Sequence, residues 1–491
     1  MIGGGFRGNF PHKGNKKKKD GDKPAGPIHV QPKDPSWARG AGPRILPNTS
    51  APAGQPEGGG QGPRVLPPPM QGQQPVGSQP QASPTQTPQY FRGGGPRILS
   101  DNNYRPQRAF APNPVNEIKE NEALWNGIIH GYSGYAKANR EILRRLSPFI
   151  KIGIAADMPW SGAETDPSII ELWTHHQNVT VSSRAPRITF LPPTPQPSAR
   201  VRVIYTMMET EIVHQDMIKV MNENFDECWV PTRWNAETFR RSGLKMPIYT
   251  MPLGVDPAIY APGNDVRMPQ ATLMTTVQAG KVETPKGFLF IYVFQPSFRK
   301  GLDVLISAFH EAFYGDQTVG LVLGTTAHSL ENSGVLPRPD LPIKVWAVYG
   351  NLSERDMAAM YRACHVYVCT SRGEGWNLPM MEAAACGLPV IVPRTSVHPE
   401  LVPEGCGLFF DATGMKQFPG SKAISPWFDG IEFPDYGANS HKQLVDLLRK
   451  AKSEYSSLTV MGRRYMNVVR SRYSWGIAAK NVSDRIKAIC L

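Results

Sequence analysis

Two carboxylates open the reading of this chain. Glu374 and Glu382 flank the start of an expected helix in the run CTSRGEGWNLPMMEAAACGLPVIVP, Cys369 to Pro393. The run reads as a strand, a glycine-containing loop, a helix and a second strand, so the loop falls at the carboxyl end of a parallel strand, where open α/β sheets bind ligands. Backbone N–H groups from Gly375 to Met380 would point out of the helix N-terminus, and with the helix dipole they favour a phosphate. The two carboxylates can each accept hydrogen bonds from vicinal hydroxyls of a sugar or a ribose. Spacing alone is weak evidence, because glutamates eight residues apart are common and Glu382 can simply answer the helix dipole. A second cluster, Arg299 and Lys300 in FQPSFRKGLDVLISAF, lies in a turn between a strand and a helix. Adjacent cations in such a turn are usually just solvated. Glu209, ending the strand in IYTMMETE, and His130, at the end of the first strand, are further candidates, although a lone Glu or His at a strand end is more often structural.

The elements that must position these groups begin late. From Met1 to Val115 the chain holds 21 Pro and 19 Gly in 115 residues, above the roughly 25 to 30% that marks low-complexity sequence. Disorder is expected there. The tail also carries 15 Lys and Arg against 5 Asp and Glu, which is +10 of the chain's +13. The basic balance therefore describes the tail's partners and says little about the folded part. With 491 residues in all, two domains are expected.

After Val115, short apolar runs alternate with amphipathic stretches, the signature of parallel α/β units. A first block over 116–258 has expected strands at Leu124–His130, Ile150–Ala156, Arg187–Leu191, Arg202–Thr206, Glu227–Pro231 and Ile248–Pro252. Helical patterns lie at Tyr135–Leu146, Ile212–Met221 and Asn235–Ser242. The polar stretch 259–287 reads as a linker. A second block over 288–472 has strands at Phe288–Phe294, Val319–Leu323, Ile343–Val348, His365–Thr370 and Pro389–Val392. There Ser353 with Asp356 resembles a capping box, Pro379 opens a helix and Gly387 ends it. A last helix over 473–491 closes the chain. Two Rossmann-like blocks of similar size imply a ligand cleft between them.

Six cysteines show no paired Cys-x-x-Cys spacing, so zinc and redox sites are not expected. The one Asp-x-Asp, Asp20 to Asp22, lies in the lysine-rich tail with no strand to hold it. The longest apolar run, Phe288 to Phe294, is far short of the roughly 18 residues of a membrane span, and no apolar leader follows the first lysines. A cytoplasmic protein is expected. Lys16 to Lys19 is the one dense basic cluster and aromatic interleaving is sparse, which argues against nucleic acid as a partner.

The run Gly373–Gly387 resembles the donor-site signature of glycosyltransferase family 4, the glycosyl transferases group 1, in which Glu-Gly-aromatic-x-Leu-Pro precedes a helix bearing the second Glu. GYSGYAKANREILRRL is similar to that family's first glycine loop and helix, with Gly131, Gly134 and Tyr135 at the cleft. FDECWVPTRWNAETFRRSG and MPLGVDPAIYAPG resemble the end of its first domain, where the chain crosses over, and RYSWGIAAKNVSDRIKAI resembles the terminal helix that packs back on that domain. The order of these motifs is more specific than any one of them.

The resemblance implies a GT-B fold: two Rossmann-like domains facing a cleft, here behind a long disordered tail. It implies a retaining transfer of a hexose from a UDP- or GDP-sugar to an acceptor hydroxyl, with no tightly bound cofactor, no metal ligands in the chain and no divalent cation requirement. It places Lys300, with Arg299 beside it, on the donor diphosphate, where a cation would stabilise the charge on the leaving nucleotide. Glu382 would take the ribose, and Glu374 with Gly375, Trp376, Asn377 and Leu378 the transferred sugar. Glu209 and His130 become the acceptor-side candidates. Two departures stand out. Gln295 occupies a position where the family often has Arg, and Ser396-Val397 replaces its usual Gly-Gly before Pro399 and Glu400. They favour the alternative of a non-catalytic scaffold; for a related rival, a nucleotide-sugar epimerase of the same architecture, the catalytic pattern is not present. Finally, Gly42–Leu46, Gly62–Leu66 and Gly95–Leu99 read GPRIL, GPRVL and GPRIL. A cation beside two apolar side chains, kept three times, is expected to dock multivalently on a partner protein or assembly.

Overall fold

The computed structural model describes residues 121–491 apart from 156–166, 194–198, 276–277, 326–339, 419–420 and 422–424. The tail, its three pentapeptides and Asp20-x-Asp22 lie outside the described residues.

The first domain is a six-stranded parallel sheet of β1 (Glu122–Gly127), β2 (Lys151–Ile154), β3 (Arg187–Phe190), β4 (Arg202–Tyr205), β5 (Glu227–Val230) and β6 (Ile248–Thr250). Its order is β2-β1-β3-β4-β5-β6. Strands covered by helices on both faces need apolar side chains throughout, and β5 (Glu-Cys-Trp-Val) is buried along its whole length. The helices are α1 (Gly134–Leu146), α2 (Pro167–Gln177), α3 (Gln215–Asn224) and α4 (Arg233–Arg241). Where the sequence predicts a helix from Ile212, α3 starts at Gln215. Thr210 donates to the Ile212 carbonyl at 2.8 Å and His214 accepts from the Asp216 amide at 3.3 Å, so local turn chemistry holds the chain out of the helix. α4 starts at Arg233, earlier than the expected Asn235, because Thr232 accepts from the Asn235 amide as its N-cap.

The second sheet contains β9 (Phe288–Val293), β10 (Val319–Thr325), β11 (Lys344–Tyr349), β12 (Val366–Val368), β13 (Val390–Pro393) and β14 (Leu408–Phe410), all parallel. Two antiparallel strands, β7 (Ala271–Leu273) and β8 (Val282–Glu283), extend it beyond β11. These lie in the stretch read from sequence as a linker. Strands of two or three residues carry too little alternation to be legible, yet Glu283 accepts from the Trp346 indole at 3.1 Å and ties them to the sheet. The helices that matter for the site are α5 (Leu302–Ala312), α6 (Glu354–Ala363), α7 (Leu378–Ala385) and the short α8 (His398–Leu401). Ser353 caps α6 by accepting from the Asp356 amide and donating to its carboxylate at 2.6 Å.

The chain returns at its end. Helix Trp475–Cys490 lies on the first domain, where Arg485 grips Glu227 of β5 and the Cys490 thiol reaches the Glu122 carbonyl at 3.5 Å. The backbone at Val255 pairs with Ser474 beside it.

Candidate functional site

β12 runs out into the loop 369–377, which turns into α7. The turn residue is Asn377, at φ 68°, a left-handed conformation that Asn tolerates better than most side chains. Its side chain does three things there. Oδ1 accepts from the Met380 amide at 3.2 Å as the N-cap of α7, while Nδ2 donates to His398 Nε2 at 3.1 Å and approaches Cys369 Sγ at 3.4 Å. The Cys369, His398 and Asn377 side chains resemble a nucleophilic triad, but all three are buried. Burial pushes the Cys369 thiol up to about 11 and holds His398 down to about 4 despite the nearby Glu374. Both stay neutral, and their role is to brace the loop.

Gly373 and Gly375 press against the first domain. A side chain at Gly373 would meet the Glu209 carbonyl and one at Gly375 would meet Met207, so only glycine permits this approach. The Gly375 carbonyl also accepts from Asn235 Nδ2 at 3.0 Å. Between these glycines stands Glu374, buried, with Oε1 receiving the Lys300 ammonium at 2.5 Å and Oε2 3.5 Å from Arg299. Burial alone would raise its carboxyl; Lys300 and then Arg299 outweigh burial and bring it down to about 2. Arg299 continues to Glu209 at 3.7 Å and donates to the Gly373 carbonyl at 2.5 Å. The two cations come from the turn Phe298–Lys300 that precedes α5.

That turn is fastened to the loop by Arg372, which the sequence reading passed over. Its guanidinium grips Asp303 at 2.6 and 3.0 Å, donates to the Phe298 carbonyl at 2.5 Å and stacks over Phe418. Its amide donates to the Arg299 carbonyl at 2.6 Å.

Glu382, in the middle of α7, faces a different neighbour. Lys137 of α1 donates to its Oε1 at 2.5 Å, and the Tyr361 hydroxyl to its Oε2 at 3.4 Å. The same ammonium contacts Glu354 and donates to the Tyr260 hydroxyl at 3.1 Å, which in turn donates to Glu354 at 2.7 Å. One cation thus serves two carboxylates. Burial raises Glu382, against Lys137 and with Glu354; the ammonium, which burial would lower, is held above its ordinary value by the two acids. Lys137, Tyr260 and Glu354 were not legible as site residues. Lys137 stands three residues beyond Gly134 on one helix face, but its partners lie 217 and 245 residues away in the chain.

The remaining candidates divide. Tyr135 reaches the Thr206 hydroxyl at 3.5 Å and packs on Phe190, its phenol raised by burial. Gly134 abuts Leu378 across the cleft. Gly131 holds φ 80°, and His130 beside it is half-buried in a loop pinned by Arg140, which donates to the carbonyls of Ile129 and Gly131. Trp376 turns inward, buried against Tyr473 with ring centroids 5.4 Å apart. Gln295 is exposed. Ser396, in place of the first glycine, adopts φ 50° and its hydroxyl accepts from the Glu374 amide at 3.2 Å. The backbone shape that glycine would supply is kept, at a conformational cost of about 1 kcal/mol.

Ser396 also floors a cavity of about 410 Å³ between the domains, walled by Arg233, Trp234 and Glu237 on one side and Arg394 and Glu400 on the other. The Glu400 carboxylate accepts from the Arg233 and Trp234 amides at 3.0 and 2.9 Å, capping α4 across the cleft. Among the described residues, no cluster of three or more His, Cys, Asp or Glu could hold a metal ion, and no helix is long and apolar enough to cross a membrane.

Residues 285–418, which contain every one of these second-domain groups, match the family model of glycosyl transferases group 1. Among curated proteins, an uncharacterized protein of Sulfolobus islandicus rod-shaped virus 1 is 24% identical over 196 residues, 40% of this chain and 52% of that protein. A D-inositol 3-phosphate glycosyltransferase of Corynebacterium efficiens is 30% identical over 168 residues, 32% of this chain and 38% of the relative. The chain thus spans about half the length, or less, of these relatives. Among solved structures, the sucrose-phosphate synthase of Thermosynechococcus elongatus superposes with a TM-score of 0.53 at 14% identity, covering 75% of this chain and 98% of that one. Anabaena HepE in complex with UDP-glucose gives 0.52 at 12% identity, covering 75% and 99%. The shared fold is GT-B.

Proposed function

From the GT-B fold and the match of residues 285–418 to the family model of glycosyl transferases group 1, we infer a retaining hexosyltransferase that uses a nucleotide-diphosphate sugar. The observation that carries this reading is the Glu374–Lys300 pair at 2.5 Å, set beside the N-terminus of α7. An ionised carboxylate there accepts hydroxyls of the transferred sugar, and the ammonium meets the diphosphate. As the bond from the anomeric carbon to the diphosphate breaks, negative charge grows on the leaving oxygen next to Lys300 and the helix amides. The acceptor oxygen bonds to the anomeric carbon on the face the diphosphate leaves, and the acceptor proton passes to the departing phosphate. Glu382 takes the ribose hydroxyls. The cavity at Trp234, Glu237 and Arg394 opens beside Ser396 and suits an acceptor, an aromatic face with flanking charges being adapted to a polar ring. Glu209 and His130 lie on the first-domain side of that reaction.

No divalent cation enters this reading, since Lys300 and Arg299 supply the positive charge. The tail motifs at 42–46, 62–66 and 95–99 would recruit the enzyme to a partner near its acceptor. The exposed Gln295 favours the scaffold alternative, because it leaves one fewer cation for phosphate. The test is release of UDP or GDP from a panel of UDP- and GDP-hexoses by the full chain, with binding of the free diphosphates in parallel. Glu382→Ala and Lys300→Ala should each weaken diphosphate binding by about tenfold or more. Parent-like binding by both, or no nucleotide release from any donor, would leave the scaffold reading standing.

A further inference from the structure

We propose that Lys137 is a cross-domain latch, which the ribose of an incoming nucleoside diphosphate displaces from Glu382, so that donor binding uncouples α1 from α7. The proposal rests on the assignment of Glu382 to the ribose.

The geometry points to displacement because the carboxylate is covered. The side chains of Glu382 and Lys137 are only 6% and 14% exposed, and the start of α1 closes over α7 where Gly134 meets Leu378. Both carboxylate oxygens are engaged, Oε1 by the ammonium and Oε2 by the Tyr361 hydroxyl. A vicinal diol approaching this carboxylate needs the space that the ammonium fills. Glu374 is placed differently: its lysine comes from the same domain, so domain motion leaves that pair intact.

A buried ion pair makes a poor switch when breaking it strands a charge, since an unpaired buried charge is costly. Here neither charge would be stranded. On leaving Glu382 the ammonium retains Glu354 and the Tyr260 hydroxyl, and Glu354 is at the rim with 44% of its side chain exposed. Ribose hydroxyls then replace the ammonium as donors to Glu382. Tyr260, in the crossover between the domains, keeps the released ammonium close, with its ring centroid 4.8 Å from Nζ. The latch can therefore reset when the nucleotide departs.

The experiment is calorimetric titration of UDP and of GDP into the full-length parent, K137M, K137Q, K137R and E382Q, with melting curves to confirm folding. If the latched state predominates, apparent affinity is reduced by the unlatched fraction, and K137M and K137Q should bind the preferred nucleotide about tenfold more tightly. K137R, which keeps the cation, should remain within about threefold of the parent. Equal or weaker binding by both neutral variants, with E382Q weakened tenfold, overturns the latch and leaves the ribose assignment in place. Parent-like binding by E382Q overturns the ribose assignment and the latch with it. Binding of neither nucleotide by any variant overturns both.

Discussion

Glu374 and Glu382 sit eight residues apart, both buried and both 2.5 Å from a lysine, yet they behave in opposite ways. Lys300 and Arg299 outweigh burial at Glu374 and bring its carboxyl down to about 2, whereas at Glu382 burial prevails, with one cation shared between two acids. The difference is the origin of the cation. Glu374 is paired within its own domain and laced into it by Arg372, so it is ready before any ligand arrives. Glu382 is paired from across the cleft, so its state depends on how the two domains stand. Preorganisation and conformational response are thus divided between two carboxylates, one in the loop before α7 and one in the middle of that helix.

The comparison can be broken most directly at Glu374. Replacing it with Gln keeps the shape and removes the charge; donor turnover should fall by about 10² or more, while binding of the free nucleotide diphosphate changes by less than about threefold. Loss of diphosphate binding in proportion to turnover would mean that Glu374 serves the nucleotide and not the sugar. Acid titration sharpens the contrast next. Glu374 is depressed from 4.5 to about 2 and His398 from 6.5 to about 4. In each case the unfolded chain binds the proton first, so stability is lost as pH falls. The His398 contribution should go between about pH 6.5 and 4 and that of Glu374 between about 4.5 and 2, each on the order of 3 kcal/mol. Urea midpoints followed down this range should fall in two stages, and His398→Asn should shrink the first, to which His176 and His365, also lowered by burial, contribute as well. A midpoint that is flat above pH 4.5 would contradict the buried neutral imidazole.

Arg372→Ala comes third. It should cost about 1–3 kcal/mol in urea unfolding and lower turnover more than it changes diphosphate affinity, because it loosens the carboxylate that meets the sugar. An unchanged turnover would show that the turn and the loop hold their register without it. The smallest effect belongs to Ser396→Gly, which relieves the left-handed strain but removes the hydroxyl on the Glu374 amide. These changes oppose each other within about 1 kcal/mol, so thermal stability should stay near that of the parent.

Much of this was legible in the sequence because the relevant signals are local. The strand, loop and helix from Cys369 to Gly387, the cap at Ser353 and the basic turn at Arg299 and Lys300 all follow from periodicity and capping over a dozen residues. Three kinds of feature were not. Strands β7 and β8 are too short to show alternation. The inward turn of Trp376 is decided by Tyr473, almost a hundred residues later. Lys137 looks like any solvated helix lysine until α6 and α7 are brought against it. Ser396 shows the converse: the missing glycine is plain in the sequence, but not that the serine takes a left-handed backbone and that its hydroxyl finds a partner in the Glu374 amide.

The returning helix Trp475–Cys490 has a consequence for synthesis. The first sheet is complete once β6 has been made, but the helix that packs on it, Trp475–Cys490, follows the whole second sheet in the chain. At roughly 5 to 20 residues per second, the ribosome takes on the order of 10 to 50 seconds to go from β6 to the end of that helix. During that interval Glu227 waits for Arg485 and the apolar side chains that Trp475, Val482 and Ile486 will cover face solvent or a chaperone. The first sheet to be made is therefore finished after the second, and deletion of Trp475–Cys490 should harm the first domain more than the second.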